Sequence, residues 1–203
     1  VPKILHLICS PRGRAAESSR LSQKIVDSIL ADEPAEVVTR ILADEPLAYV
    51  DADYALSQHG LEDVSQEGTA AVSAALIDEL QSVDCIVIGT PVHNFTLPSA
   101  LKAWIDHVVR VRWTFDVSPS GKIGKLHDRP VFIAFSSGGR FSGEGARQPD
   151  FLSPYLKAVF AIVGLHDLTF FSVQGAAFGP EYLEESRRIA DAAVLAHFAG
   201  EAA

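Results

Sequence analysis

The feature that most constrains this chain is the spacing of five short apolar runs, each followed by a stretch with helical periodicity. The runs lie at residues 3–9 (KILHLIC), 36–42, 84–90, 131–135 and 168–173. Each has the length and β-branched content of a buried strand. After the first run, Leu21, Ile25, Ile29 and Leu30 recur at the spacing of one helix face. Further helices are expected over 69–81, 99–111, 151–163 and 181–198. Strands that alternate with helices in this way pair in parallel, because parallel neighbours need helical crossovers and right-handed ones. The expected architecture is therefore an α/β sandwich around a five-stranded parallel sheet. No repeat, low-complexity tract or linker interrupts the pattern, so residues 1–203 read as a single domain, and a chain this long with 48% hydrophobic residues can bury one good core.

Two connections are less regular. Residues 43–68 hold Pro46, Tyr49, Asp51, Asp53 and Gly60 with no clear period, which predicts a long surface loop with a short helix. The stretch DVSPSGKIGKLHDRP, before the fourth run, is rich in turn residues and reads as a plain connection.

In a doubly wound sheet ordered 2-1-3-4-5, ligands sit outside the carboxyl ends of the strands where the winding reverses. Three loops would meet there. The first, SPRGRAAESS, offers hydroxyls on Ser10, Ser18 and Ser19, amides freed by Gly13 and a helix N-terminus, all of which favour a phosphate. Ser18 or Ser19 is also a natural N-cap. The second, PVHNFTLP from Pro91, is stiffened by two prolines and presents an amide and an aromatic to a planar ligand. The third is Ser136, Ser137, Gly138 and Gly139, where paired glycines let backbone amides approach a ring edge. Together the loops describe sites for a phosphate, a ring face and a ring edge. GxxxxGK[ST] and GxGxxG are both absent, which favours a mononucleotide over a nucleoside triphosphate or a dinucleotide. Trp113, Phe115, Phe141 and Phe151 are expected to contribute walls to the same crevice.

Charge and composition exclude other classes. A net charge of −9 argues against a general nucleic-acid surface or an acidic membrane surface. No run approaches the ~20 apolar residues of a membrane span, and no signal peptide is evident. Cys9 and Cys85 fall inside strands and read as small buried hydrophobes, which fits a reducing, cytoplasmic compartment. The seven histidines, His6, His59, His93, His107, His127, His166 and His197, show no metal-ligand spacing, so no metal is expected. His6 and His166 are expected to be satisfied core histidines. GxSxG is missing, and no Ser-His-Asp arrangement is suggested.

The combination of Ser10 and Ser18, PVHNF followed by LPSALKAWID, Thr114-Phe115, SSGG, and PYLKAVFAIVG from Pro154 resembles the FMN-dependent NADH-azoreductases. These belong to the flavodoxin-like NAD(P)H:quinone oxidoreductases. The resemblance spans nearly the whole chain in matching order, and PVHNF with LPSALKAWID is its most specific part. It implies a flavodoxin-like three-layer sandwich, one FMN per subunit, and a homodimer. By position, Ser10 and the turn Ala16, Glu17, Ser18 match the family's phosphate loop. Pro91, Val92, His93, Asn94 and Phe95 match its ring-binding segment, and Ser136, Ser137, Gly138 and Gly139 its ring-edge loop. Val92 and His93 stand where the family often has Met and Tyr, a difference that bears on substrate preference.

The expected activity is hydride transfer from NADH or NADPH to FMN and then two electrons to a quinone or azo acceptor, by a ping-pong cycle through a shared pocket. Phe95 and Trp113 would bound the stacking space, and His93 is a candidate proton donor. A flavodoxin-like electron carrier, or a flavin-binding regulatory module without its own substrate, is the alternative. Apolar surface for a dimer is expected from Trp104, His107 and Val111 on one helix, and from Phe151, Tyr155 and Phe160 on another.

Overall fold

The computed structural model describes residues 1–58 and 68–200. His59 and Gly60, and with them the middle of the loop expected over 43–68, lie outside the described residues. In chain order the strands and helices are β1 (Lys3–Ile8), α1 (Glu17–Asp32), β2 (Glu36–Ile41), α2 (Ala52–Ser57), α3 (Gly68–Gln81), β3 (Cys85–Pro91), α4 (Ser99–Val108), β4 (Phe115–Ser118), β5 (Gly121–Gly124), β6 (Val131–Ser136), α5 (Leu152–Val163), β7 (Leu168–Val173) and α6 (Pro180–Phe198). Five strands form one sheet in the order β2-β1-β3-β6-β7, every pair parallel. This is the expected 2-1-3-4-5 winding with one insertion. The insertion is the antiparallel hairpin β4-β5, four residues per strand, formed by the stretch that reads as a plain connection. Strands this short leave no period to detect, and Ser-Pro-Ser-Gly at their join masks them as turn chemistry.

Alternation along the strands sends side chains to two apolar layers. Leu5, Leu7, Ile86, Ile88, Val131, Ile133 and Phe135 pack with Leu76, Ile77 and Leu80 of α3, Trp104 and Ile105 of α4, and Leu156 and Phe160 of α5. Ile4, Val87, Phe132, Ala134, Phe171 and Val173 point the other way, against Leu21, Ile25 and Val26 of α1 and Ala190 and Val194 of α6. Trp104, His107 and Phe160 are thus fully buried inside the subunit and supply no dimer surface. Tyr155 and Val111 stay half-buried and Phe151 exposed.

Helix α1 approaches β3 closely at Gly89. A Cβ there would lie 2.5 Å from Ser22 Oγ and 3.0 Å from the carbonyl oxygen of Ser18. Only the missing side chain lets the first turns of α1 rest on β3. The same Ser22 Oγ shares a 2.8 Å hydrogen bond with His6 Nε2 from β1, so α1 is tied to two adjacent strands. His6 is buried as expected, whereas His166 is exposed: it sits just before β7, where its amide is held by Asp128 at 2.8 Å while its ring meets solvent.

Two outcomes follow. Gly89→Ala should lift α1 from the sheet and cost about 1–3 kcal/mol, the range for overpacking a tight contact, as read from urea denaturation. Burial, reinforced by the Arg14 guanidinium and opposed by Asp27, lowers His6 from its ordinary 6.5 to about 4. Between those values the unfolded chain takes up a proton that the folded chain refuses, so stability falls as pH falls from 6.5 towards 4. The loss should total on the order of 3 kcal/mol, and His6→Gln should flatten that part of the pH profile measured by denaturation.

Candidate functional site

The strand register sets three loops side by side. Ile8 pairs with Gly89, and Pro91 with Ser136, so Ser10, Pro91 and Ser136 stand at the same level on adjacent strands. Backbone bonds carry the ladder past the strand ends, from Cys9 N to Gly89 O (2.8 Å), Val92 N to Ser136 O (2.8 Å) and Ser137 N to Val173 O (2.9 Å). The loops therefore begin roughly 5 Å apart, one strand spacing each.

In the first loop, Ser10 is buried. Its carbonyl accepts from Gly13 N at 2.9 Å and its hydroxyl from Arg12 N at 3.2 Å. Residues Gly13–Ala15 make one 3₁₀ turn, and α1 starts at Glu17 with Ala16 as its N-cap. The capping role expected of Ser18 or Ser19 is thus not theirs, because the helix begins before them. Ser19 Oγ instead donates to Gly13 O at 2.8 Å and closes the loop on itself. A cap without a side-chain acceptor leaves helix donors open: the amides of Glu17 and Ser18 donate to no backbone group among the described residues. Ser18 Oγ is fully buried and has no hydrogen-bond partner among the described residues. A buried hydroxyl of this kind costs free energy unless something binds it. Arg12 and Arg14 extend from the loop into solvent.

Glu17 adds a carboxylate to this first turn. It accepts from Arg20 Nε at 2.5 Å on one oxygen, and from Arg187 Nε at 2.9 Å and Nη2 at 2.6 Å on the other. Burial acts to raise its pKa, but the bonds from Arg187 and Arg20 prevail and hold it below the usual carboxylate value. No spacing in the sequence announces Arg187, which is 170 positions away.

The second loop is a tight turn. His93 and Thr96 exchange two backbone bonds, His93 N to Thr96 O at 2.8 Å and Thr96 N to His93 O at 3.0 Å. Asn94 and Phe95 between them both adopt positive φ, 49° and 70°, the geometry of a two-residue hairpin turn. Asn tolerates this readily, but a bulky aromatic does not, and such strain collects at functional positions. It holds the Phe95 side chain out, 47% exposed, with His93 and Asn94 exposed beside it and Pro91 and Val92 half-buried below. The amides of Asn94 and Phe95 donate to no backbone group among the described residues. Pro98 then caps α4.

In the third loop the carbonyls face inward. Those of Ser137, Gly138 and Gly139 accept from Ala176 (3.1 Å), Ala177 (3.1 Å) and Gly175 (3.0 Å). The amides of Gly138 and Gly139 donate to no backbone group among the described residues. Gln148 Nε2 bonds Ser137 Oγ at 2.9 Å, and its amide oxygen fills the space a Cβ on Gly139 would take, 2.3 Å away. Gln174 Oε1 accepts from the amides of Phe141 (3.0 Å) and Ser142 (3.2 Å), which fixes the loop's exit. Neither glutamine stands out in the sequence.

Of the four aromatics expected in the wall, Phe115 is core. Phe141 stacks on Phe135 with centroids 5.0 Å apart, and Trp113 is half-buried under the Arg110 guanidinium at 4.7 Å. Phe151 is exposed at the start of α5. A cavity of about 280 Å³ lies between the first two loops, lined by Cys9, Pro11, Leu42, Ala43, His93 and Pro98 among others. No group of His, Cys, Asp and Glu able to hold a metal occurs among the described residues, and no helix among them is long and apolar enough to cross a membrane.

Known proteins of similar sequence and shape fit this geometry. Residues 2–198 match the profile of proteins with a flavodoxin-like fold. A Pseudomonas fluorescens protein named FMN-dependent NADH:quinone oxidoreductase 4 is 45% identical over 181 residues, 88% of this chain and 86% of its own length. FMN-dependent NADH:quinone oxidoreductase 5 of Burkholderia lata is 40% identical over 98% of each chain. Among solved structures, the azoreductase of Bacillus anthracis superposes with a TM-score of 0.83 at 22% identity, over 98% of this chain and 99% of that one. An FMN-dependent NADH-azoreductase of Bacillus anthracis in complex with FMN gives 0.78 at 22% identity, over 96% and 98%. With five parallel strands in this order and a profile match over nearly its whole length, the chain belongs to the flavodoxin-like family.

Proposed function

We propose that this protein is an FMN-dependent NADH:quinone oxidoreductase that also accepts azo compounds, acting as a single FMN-binding unit over residues 1–203. The observation that carries the proposal is the set of open donors at three adjacent strand ends, foremost the buried, unpartnered hydroxyl of Ser18 beside the amides of Glu17 and Ser18. The names of the relatives in Pseudomonas fluorescens and Burkholderia lata support the same reading.

In this reading Ser10, Ala16, Glu17 and Ser18 hold the phosphate: Ser18 through its hydroxyl and amide, Glu17 through its amide alone, Ala16 by leaving the cap open and Ser10 by shaping the turn. Pro91, Val92, His93, Asn94 and Phe95 carry one side of the ring. Ser136 and Ser137 anchor the third loop, and Gly138 and Gly139 aim their amides at the ring edge. FMN, when bound, supplies the hydride chemistry between NADH, or NADPH, and the acceptor. The chain's own task is to hold one ring face open and dry for the nicotinamide and then for the acceptor. His93 is the titratable side chain of the turn and hands a proton to the acceptor. The working form in this reading is a homodimer, and half-buried Tyr155 and Val111 with exposed Phe151 are the part of the expected contact that stays accessible on the subunit. The free thiols of Cys9 and Cys85 agree with a reducing cytoplasm.

Two measurements test this. The purified protein should bind FMN, bleach on anaerobic addition of NADH, and give parallel initial-rate lines when NADH is varied at several quinone concentrations; lines that intersect would exclude a shared pocket used in turn. Ser18→Ala separates a phosphate ligand from a plain core serine. It removes an unsatisfied buried hydroxyl, so the apo-protein should melt no lower than the parent, yet FMN affinity in a fluorescence titration should drop roughly ten- to hundredfold, the worth of one hydrogen bond to a charged group. Unchanged affinity would remove Ser18 from the site.

A further inference from the structure

Glu17 presents a contradiction to the phosphate site. A carboxylate in the first turn suits the helix dipole but repels any other anion brought to the same amides. The structure resolves it from the far end of the chain. Both carboxylate oxygens are engaged, one by Arg20 and the other by Nε and Nη2 of Arg187. Arg20 is a divided counter-charge, since its Nη1 also donates to both oxygens of Asp191, at 2.9 and 3.1 Å. Among the described residues, Arg187 makes its short contacts to Glu17 alone; its next carboxylate, the exposed Glu184, is 3.7 Å away. The Glu17 side chain is 13% exposed and that of Arg187 37%, so the carboxylate is shielded from water while the guanidinium stays open to salt screening.

We propose that Arg187, contributed by α6, is a positioning residue for cofactor phosphate: it cancels the Glu17 charge and holds that carboxylate back from the donors of the first loop. The anion affinity of the loop after β1 is therefore set by the last helix of the fold. This rests on the reading of that loop as the phosphate site. Removing Arg187 leaves one carboxylate oxygen of Glu17 without its two donors, and leaves Arg20 to serve two carboxylates. The charge of Glu17 is then compensated only by an Arg20 it shares with Asp191, beside the amide it carries, and the released oxygen can turn towards those donors.

The test uses full-length apo-protein with Arg187→Gln, Arg187→Lys, Glu17→Gln and the double change Glu17→Gln/Arg187→Gln. Thermal melts establish that each is folded, and FMN and riboflavin are titrated in parallel by fluorescence quenching. Riboflavin has the ring without the phosphate. Arg187→Gln should weaken FMN on the order of tenfold, as expected when a charge at a helix N-terminus loses one of its two counter-charges, and leave riboflavin unchanged. The loss should shrink in high salt. Arg187→Lys, which keeps the charge, should retain most of the affinity, and the double variant should bind FMN as well as Glu17→Gln alone. If Arg187 were only a brace between α1 and α6, Arg187→Gln would lower the melting temperature and either spare FMN or weaken both ligands alike; either result, or a double variant as weak as Arg187→Gln, overturns the inference. A parent protein that binds FMN no more tightly than riboflavin would overturn the phosphate site itself, and the inference with it.

Discussion

The contact at Gly89 fixes everything at the carboxyl end of the sheet. With no side chain there, α1 can lie with Ser18 and Ser22 against β3, and the bond from Ser22 to His6 locks the helix in rotation as well as in distance. Any larger residue would push the helix out and swing its first turn away from the strand ends. The position of the amides of Glu17 and Ser18 relative to the turn at Asn94 and the loop at Gly138 is thus a consequence of packing in the first turns of α1.

Given that placement, the three loops share a way of working. In each, protein donors satisfy the carbonyls while some amides donate to no backbone group among the described residues: Ser19 Oγ takes up Gly13 O, His93 and Thr96 pair with each other, and residues 175–177 take up the carbonyls of Ser137, Gly138 and Gly139. Open donors are costly when buried and tolerable when water reaches them, so a site of this kind sits at the rim of the fold. The absence of a capping side chain at Ala16 belongs to the same pattern. A serine or aspartate there would take up one of the amides that the first turn keeps open.

Much of this was legible in the residues. Runs such as Ile86, Val87 and Ile88 with a helix after them leave few alternatives to a parallel strand, and PVHNFTLP carries its turn in Asn94 and its helix start in Pro98. What escaped is what depends on distance along the chain or on depth. The hairpin β4-β5 is too short to show a period. Trp104, His107 and Phe160 look like surplus apolar surface on a helical wheel, but Trp104 and Phe160 pack into the core against the sheet, and the ring of His107 is met by Ala48 O at 2.9 Å and the edge of Tyr54. Ser18 and Ser19 are good capping residues by type, yet the 3₁₀ turn at Gly13 starts the helix earlier. His166 lies next to an apolar run and still points outward, since the strand begins two residues later. The partnerships of Gln148 with Ser137, and of Arg187 with Glu17, join separate elements and leave no trace in local pattern.

The third loop has one more consequence. With the carbonyls of residues 137–139 engaged and the amides of Gly138 and Gly139 donating to no backbone group among the described residues, its backbone offers a guest donors rather than acceptors. Such an edge binds the electron-richer form of a ring more tightly than the electron-poorer form. Since the two affinities and the two redox states close a thermodynamic cycle, tighter binding of one form shifts the midpoint potential by the same free energy. On the proposed reading, with the flavin edge at this loop, the polarity of residues 137–139, fixed by backbone bonds from residues 175–177, sets how strong an oxidant the bound ring becomes.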